Sequence, residues 1–354
     1  MAENRQTDAD LAVRLSAYYE RALPGRAPRI DGFRRIAAGW ECEVFAFDLA
    51  DHEAGAPVDK RDAAQPLVLR LYAGPEARHK ARREFAIMRY LQGVGYPVPH
   101  VHLLEPDPAP LGRPFVIMDR VDGERYSPLL HGAPYPRKRE LITRFVQLLV
   151  DLHAVDWRPF APDLNPAGER GLLSSFLDQM EGILARHDGL GAEPVVRWLR
   201  LHAGEVGEIR PALVHLDYHM ENLLVRPDGS VAVLDWTQGQ VQDRRADLGW
   251  TLILMGMYDG WPMREALLGE YRRLAGWSVE GVEYFETLAA ARRLFSMLMI
   301  LGGEGASLGL DPRAASQIQA NLGHFAGVYT LLLGRTGITV PSAERILEAW
   351  DGHQ

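Results

Sequence analysis

Residues 215–222 bring His215, Asp217, His219 and Asn222 close together, and another carboxylate, Asp235, follows a little further on. Two short apolar runs, 223–225 and 231–234, lie between them and flank the turn sequence Pro227, Asp228, Gly229. A β-hairpin is the predicted result. Asp217 and Asn222 then precede it and Asp235 follows it, so one end of one hairpin gathers three oxygen-bearing side chains. Asn222 and Asp235 are hard oxygen ligands suited to Mg²⁺, which keeps waters and is completed by substrate phosphates. The remaining carboxylate, Asp217, can accept the proton of an attacking hydroxyl. Together these groups make up the inventory of phosphoryl transfer. Singly each is an ordinary loop residue, and only the joint pattern carries the inference.

The spacing from His215 through Asp217 to Asn222, with a metal-binding Asp after it, matches the kinase catalytic loop. With Asp235-Trp236, Asp243 and Asp247-Leu248 added, the chain resembles the aminoglycoside phosphotransferase family, small-molecule kinases related in fold to protein kinases. The resemblance runs from about residue 34 to residue 301. It implies Asp217 as catalytic base, Asn222 and Asp235 as Mg²⁺ ligands, and Asp247 as a structural carboxylate at a helix start. His215 and His219 are similar to family histidines that brace the catalytic loop. The implied donor is ATP. GTP is not excluded, because recognition by backbone groups leaves no side-chain signature.

A kinase also needs a cation on a strand to hold phosphates, and a Glu on the next helix to hold that cation. Arg70 ends the run 67–70, and Glu84 lies on the helix that follows. Many kinases use Lys here; Arg offers a planar fork where Lys offers a point charge. Arg82 and Arg83 immediately precede Glu84, so a solvated helix face is the competing reading. The phosphate-covering loop falls near residues 37–44, with Gly39 its one glycine. The strand that includes Phe115 and Met118 runs through Asp119 to Val121 into the connection where kinases hold adenine by backbone groups.

The elements that must position these groups are legible from periodicity. Short strands are predicted at 44–47, 67–71, 101–104 and 115–118, with one helix from about residue 76 to Gly93. After Gly123 helical patterns dominate: 137–152, 173–186, 195–206, 246–257, 264–274, 282–301, 315–332 and 342–350. A further helix is expected at 8–21. The expected fold is α+β, a protein-kinase-like two-lobe arrangement with a small antiparallel-sheet N-lobe and a large, mainly helical C-lobe. Its expected boundaries are a helical extension over 1–29, a nucleotide-binding N-lobe over 30–121, and a C-lobe over 122–354 with the catalytic loop and acceptor site.

With 354 residues, 47% of them hydrophobic, the chain has ample apolar matter for a core. One cysteine, Cys42, excludes an internal disulfide framework and any cysteine metal cluster. The apolar stretches are too short to span a bilayer, and the first residues show no signal peptide, so a cytoplasmic protein without a membrane partner is expected. A net charge of −8 argues against a nucleic-acid partner. Residues 1–150 carry a net +2 and residues 151–354 a net −10. Only three of the 39 basic residues are lysines, Lys60, Lys80 and Lys138.

Asp235 and Asp247 are too close in sequence for a long regulated activation segment, and Trp236 stands where a protein kinase has Phe. A small-molecule hydroxyl acceptor is therefore expected. The acidic half suggests a cationic, aminoglycoside-like substrate drawn by Glu265, Glu270, Glu280, Glu283, Glu286, Glu304 and Asp259. Trp261, Trp277, Tyr284 and Phe285 could instead line an apolar pocket for a macrolide or other natural product. Amino alcohols and sugars stay open as acceptors. A nucleotide-binding regulator without turnover is the alternative from another class, and the sequence is silent on oligomeric state.

Overall fold

The computed structural model describes residues 8–22, 28–38, 42–50, 64–187, 190–303 and 314–351. In chain order the elements are α1 (Asp8–Ala22), β1 (Arg29–Ala38), β2 (Cys42–Ala50), β3 (Gln65–Tyr72), α2 (Ala77–Gly93), β4 (Val101–Glu105), β5 (Phe115–Asp119) and β6 (Glu124–Arg125). Then come α3 (Tyr126–Gly132), α4 (Tyr135–Ala154), α5 (Pro166–Leu184), α6 (Glu193–His202), β7 (Pro211–Val214), β8 (Leu223–Val225), β9 (Val231–Val233) and β10 (Gln240–Asp243). The chain ends with α7 (Arg244–Asp259), α8 (Trp261–Ala275), α9 (Val282–Leu301), α10 (Ala314–Ala320), α11 (Leu322–Thr336) and α12 (Pro341–Asp351). The fold is α+β.

Two compact units result. The described residues of the first fall within Met1–Gly123 and Leu224–Thr237, and those of the second within Glu124–Leu223, Gln238–Ala306 and Pro312–Gln354. The division differs from the expected boundaries at two places. Residues 224–237, assigned from sequence to the helical lobe, belong to the first unit, because the Val233 N–H bonds the Pro97 carbonyl at 2.8 Å and Trp236 meets Tyr96 edge-on. The N-terminal helix is no separate extension either.

The first unit is built on an antiparallel sheet in the order β1-β2-β3-β5-β4. Alternation along β3 sends Leu67, Leu69 and Leu71 to one face, where they bury with Phe45, Phe47, Phe115 and Ile117 against Leu11, Leu15 and Tyr19 of α1. That helix is a brace: Arg14 donates to the carbonyls of Pro110 and Ala109, and the Tyr18 hydroxyl to Glu105. The same alternation puts Arg70 and Tyr72 on the other face. β1, β6, β7, β10 and α3 went unread in sequence. β1 carries Arg34, Arg35 and two register shifts, which hide the period-2 signal.

The second unit packs helices around the short pair β7 and β10. The predicted helix over 315–332 is two, because Asn321 breaks it at φ −131° and ψ 50°. Its carbonyl accepts from the His324 N–H, which starts α11. The helices α7 and α9 pack so closely at Gly249 that a Cβ there would lie 2.7 Å from the Phe285 carbonyl carbon. Gly249→Ala must force two buried helices apart. It is expected to lower unfolding free energy by about 1–3 kcal/mol in urea titration; an unchanged midpoint would refute the close approach.

Candidate active site

In the first unit the polar cluster forms on the sheet face opposite α1. Arg70 sits on the central strand β3, opposite Val44 and Val116. It is 7% exposed, and Glu84 of α2 is 0% exposed. The Arg70 Nη2 donates to Asp235 Oδ1 at 2.8 Å and to Thr237 Oγ1 at 3.3 Å, while its Nε lies 3.5 Å from Glu84 Oε1. Glu84 also accepts from the Tyr72 hydroxyl and, at 3.3 Å, from the Trp236 N–H. The solvated-face reading of Glu84 is thus overturned. Its neighbour Arg83 turns away from it and donates to the Thr237 carbonyl at 2.6 Å.

Burial opposes the charge on Arg70, but Asp235 and Glu84 outweigh it and hold the guanidinium well above its ordinary pKa. Burial raises the Glu84 carboxyl despite Arg70 beside it. The Asp235 backbone is left-handed, at φ 61°. An L-residue there costs about 1–2 kcal/mol, which the bond from Arg70 helps offset. Sequence reasoning paired Arg70 with Glu84 and missed Asp235, since nothing local connects residues 165 positions apart.

The other first-unit positions are less informative. Gly39 lies outside the described residues. Asp119 ends β5, its N–H donates to the His100 carbonyl at 2.8 Å, and its carboxylate lies 2.7 Å from His102 Nε2. The Arg120 N–H donates to the Pro66 carbonyl, and Val121 follows half-buried. Ile117 and Met118 are buried in the sheet.

In the second unit, β7 runs directly into the catalytic-loop sequence, and a buried carboxylate sets that loop's path. Asp247, in the first turn of α7, accepts from the His215 N–H at 2.7 Å and the Leu216 N–H at 2.8 Å. His153 lies 3.2 Å from it and is itself fixed by the Tyr271 hydroxyl at 2.6 Å. From the other side, Arg292 Nη1 donates to the Leu216 carbonyl at 3.1 Å. Leu216 is left-handed, at φ 56°. Its peptide is therefore gripped at both ends, and the residue after it is Asp217.

Asp217 Oδ1 accepts from Trp250 Nε1 at 3.1 Å, and Oδ2 from Asn222 Nδ2 at 3.2 Å. His219 Nε2 lies 3.6 Å from Oδ2 and 3.2 Å from the Asn222 amide nitrogen. The Asp217 side chain keeps 35% of its surface exposed. Arg292 stacks over Trp250 at 4.4 Å, so one arginine steadies both the backbone before Asp217 and the indole that orients it. Sequence reasoning missed Trp250 and Arg292. A faint signal existed in Arg292 and Arg293, which interrupt the apolar run 288–301.

Asp217, Asn222, His215, His219 and Asp247 thus meet within the second unit, and Arg70, Glu84 and Asp235 within the first. Each unit by itself offers an oxygen donor of the kind Mg²⁺ takes: in the first the Asp235 carboxylate, and in the second the Asn222 amide oxygen, whose nitrogen donates to Asp217.

The acidic side chains of the helical unit are largely engaged. Glu286 is buried against Arg264, Glu265 pairs with Arg264, Glu270 with Arg273, and Asp259 with His131. Arg273 holds the Glu270 carboxyl down to about 2. Glu280 and Glu283 are exposed, and Glu304 lies outside the described residues. Tyr284 and Phe285 are core, whereas Trp261 is 45% exposed.

Arg70→Met leaves Glu84 without its cation in a dry site. The expected loss is about 3 kcal/mol of unfolding free energy, part of it restored by adding Glu84→Gln. Equal urea midpoints for the single and double variants would contradict the ion pair. Asp247→Asn is expected to cost about 2 kcal/mol, because an amide replaces a charged acceptor of two backbone N–H groups; its kcat should fall more than its affinity for nucleotide.

Comparison with known proteins bears on family and fold. Among curated proteins, acyl-CoA dehydrogenase family member 10 of Mus musculus is 30% identical over 194 residues, 52% of this chain and 18% of that protein. Family member 11 of Homo sapiens is 24% identical over 251 residues, 63% of this chain and 32% of that protein. The chain spans under a third of the length of these relatives. Among solved structures, macrolide 2'-phosphotransferase type I aligns with a TM-score of 0.59 at 16% identity, over 89% of this chain and 97% of that one. Aminoglycoside phosphotransferase APH(4)-Ia aligns at 0.57 and 16%, over 93% and 100%. The streptomycin–ATP ternary complex of APH(2")-IIa aligns at 0.54 and 18%, over 85% and 91%. At these identities the likeness is one of fold, the kinase-like fold of these phosphotransferases. The profile of the phosphotransferase enzyme family matches residues 32–285, and the chain belongs to that family.

Proposed function

We propose that this phosphotransferase moves a phosphoryl group from ATP to a hydroxyl of a small molecule, with Mg²⁺ as cofactor. The observation that carries the reading is Asp217, a half-exposed carboxylate held by two N–H donors at the end of a doubly anchored peptide. In this reading Asp217 orients the acceptor hydroxyl and takes its proton. Asn222 and Asp235 supply the oxygen ligands, and Arg70, held by Glu84, places positive charge beside Asp235. A bound Mg²⁺ would neutralise charge on the phosphates. His215, His219 and Asp247 hold the loop, and the segment from Asp119 to Val121 borders the adenine. Gly39 is proposed as part of the phosphate-covering loop.

The acceptor is a separate question, because sites are grafted onto folds. Glu265 and Glu286 share Arg264, and Glu270 pairs with Arg273, so these three carboxylates are committed to internal ion pairs, while the second half as a whole keeps its net −10. An aminoglycoside-like cationic acceptor and a macrolide both have precedent in the names of the structural neighbours. Amino alcohols and sugars belong in the same test.

That test is an ATP-consumption screen over these four acceptor classes with and without Mg²⁺. Metal-dependent turnover of one class supports the reading, whereas nucleotide binding without turnover of any would favour the regulator. Asp217→Ala is expected to lower kcat by about 10²–10⁴ while Mg·ATP affinity changes little. Asp235→Asn should abolish the Mg²⁺ dependence of nucleotide binding in calorimetry; unchanged Mg·ATP affinity removes Asp235 from the metal site.

A further inference from the structure

A second cluster of metal-ligating side chains lies at the ends of β4 and β5, apart from Asp235. His100 immediately precedes β4, His102 is its second residue, and Asp119 closes β5. One ligand atom from each lies within 4.8 Å of the others. We propose that His100, His102 and Asp119 form a binding site for a borderline divalent transition ion of the Zn²⁺ class, completed by water.

The backbone builds this convergence. The Asp119 N–H donates to the His100 carbonyl at 2.8 Å, so the two residues are directly cross-strand. The ladder pairs Val101 with Met118 and then Leu103 with Ile117, which leaves His102 as the extra residue of a bulge. Bulges re-aim side chains, and this one brings His102 toward Asp119: its Nε2 lies 2.7 Å from Asp119 Oδ1. The rings of His100 and His102 approach to 4.7 Å between centroids. Gln65, at the start of β3, lies 3.2 Å from His102 Nε2 and 3.3 Å from Asp119 Oδ1, close enough to support either ligand. The strand that carries Asp119 is packed into the sheet unit, with Val116, Ile117 and Met118 all buried.

The donor set selects the ion. Two imidazoles and one carboxylate suit Zn²⁺, Ni²⁺ or Cu²⁺, whereas Mg²⁺ prefers oxygen alone. Ligands sharing one tetrahedral ion stand about 3.4 Å apart, given bonds of about 2.1 Å. Both imidazoles are exposed, so rotation about their side-chain torsions closes the remaining distance without moving the sheet. An ion bound there would clip the end of β4 to the end of β5.

The test uses the full chain, freed of metal by a chelator and titrated with Zn²⁺ against a chromophoric competitor. His100→Gln and His102→Gln are surface changes that leave the sheet intact, and circular dichroism checks this. The wild-type chain should bind one equivalent that millimolar Mg²⁺ does not displace, and each variant should weaken that binding by at least about tenfold. Co²⁺ substitution should give visible absorption bands in the wild type that the double variant lacks. Unchanged affinity in the double variant, loss in only one of the two single variants, or no Zn²⁺ binding at all would overturn the site and leave a hydrogen-bonded His102–Asp119 pair.

Discussion

The loop 215–222 of the helical unit depends on one buried carboxylate. Asp247 receives two successive N–H groups, from His215 on one oxygen and from Leu216 on the other. Those donors come from a peptide turned left-handed at Leu216, a conformation that a leucine adopts only when its surroundings dictate it. The loop can follow this path because α7 begins where it does. Asp243 caps that helix through the Arg245 N–H, and it also accepts from the Arg210 N–H and the Arg245 side chain. Arg245 in turn bonds the carbonyls of Val206, Glu208 and Glu280. The stretch Asp243–Asp247 is thus a small machine for fixing backbone, and Asp217 is what it presents.

In the sheet unit the corresponding constraint is charge in a dry place. Arg70 and Glu84 are both removed from water, and isolated charges cannot be buried so. Arg70 meets this with two carboxylates and a hydroxyl at once, which its planar fork permits and a lysine ammonium would do less well. The scarcity of lysine in the composition is a property of the whole sequence. At residue 70 it has a geometric consequence, because Asp235, Thr237 and Glu84 are all reached from one guanidinium. Asp235, with Leu216 one of the two non-glycine residues at positive φ among the described residues, is held by that same arginine.

Much of this was legible in advance, for identifiable reasons. The segment 215–222 and the hairpin after it are local patterns, so spacing could single out Asp217, Asn222 and Asp235 as candidates. A long amphipathic helix such as α4 announces itself by period, and α9 by the length of its apolar run. The strands β7 and β10 did not, since four residues give too little alternation, and β1 hid behind its bulges. Trp250 and Arg292 were invisible because their importance lies in contacts made across the fold. Indole and guanidinium in apolar helices read as core or surface until Asp217 and the Leu216 carbonyl are seen beside them.

The sequence by itself determined the chemistry on offer: which oxygens, which cation, which order along the chain, and a balance of local periods that yields a sheet followed by helices. Tertiary structure alone decided the pairings. Arg70 finds Asp235 as well as Glu84, Glu270 and Glu286 of the helical unit pair with Arg273 and Arg264, and the bulge in β4 sets His102 against Asp119. The physical reason is common to all three. Periodicity encodes which face of an element is buried, but the partner of a buried charge is chosen by packing between segments far apart in the chain.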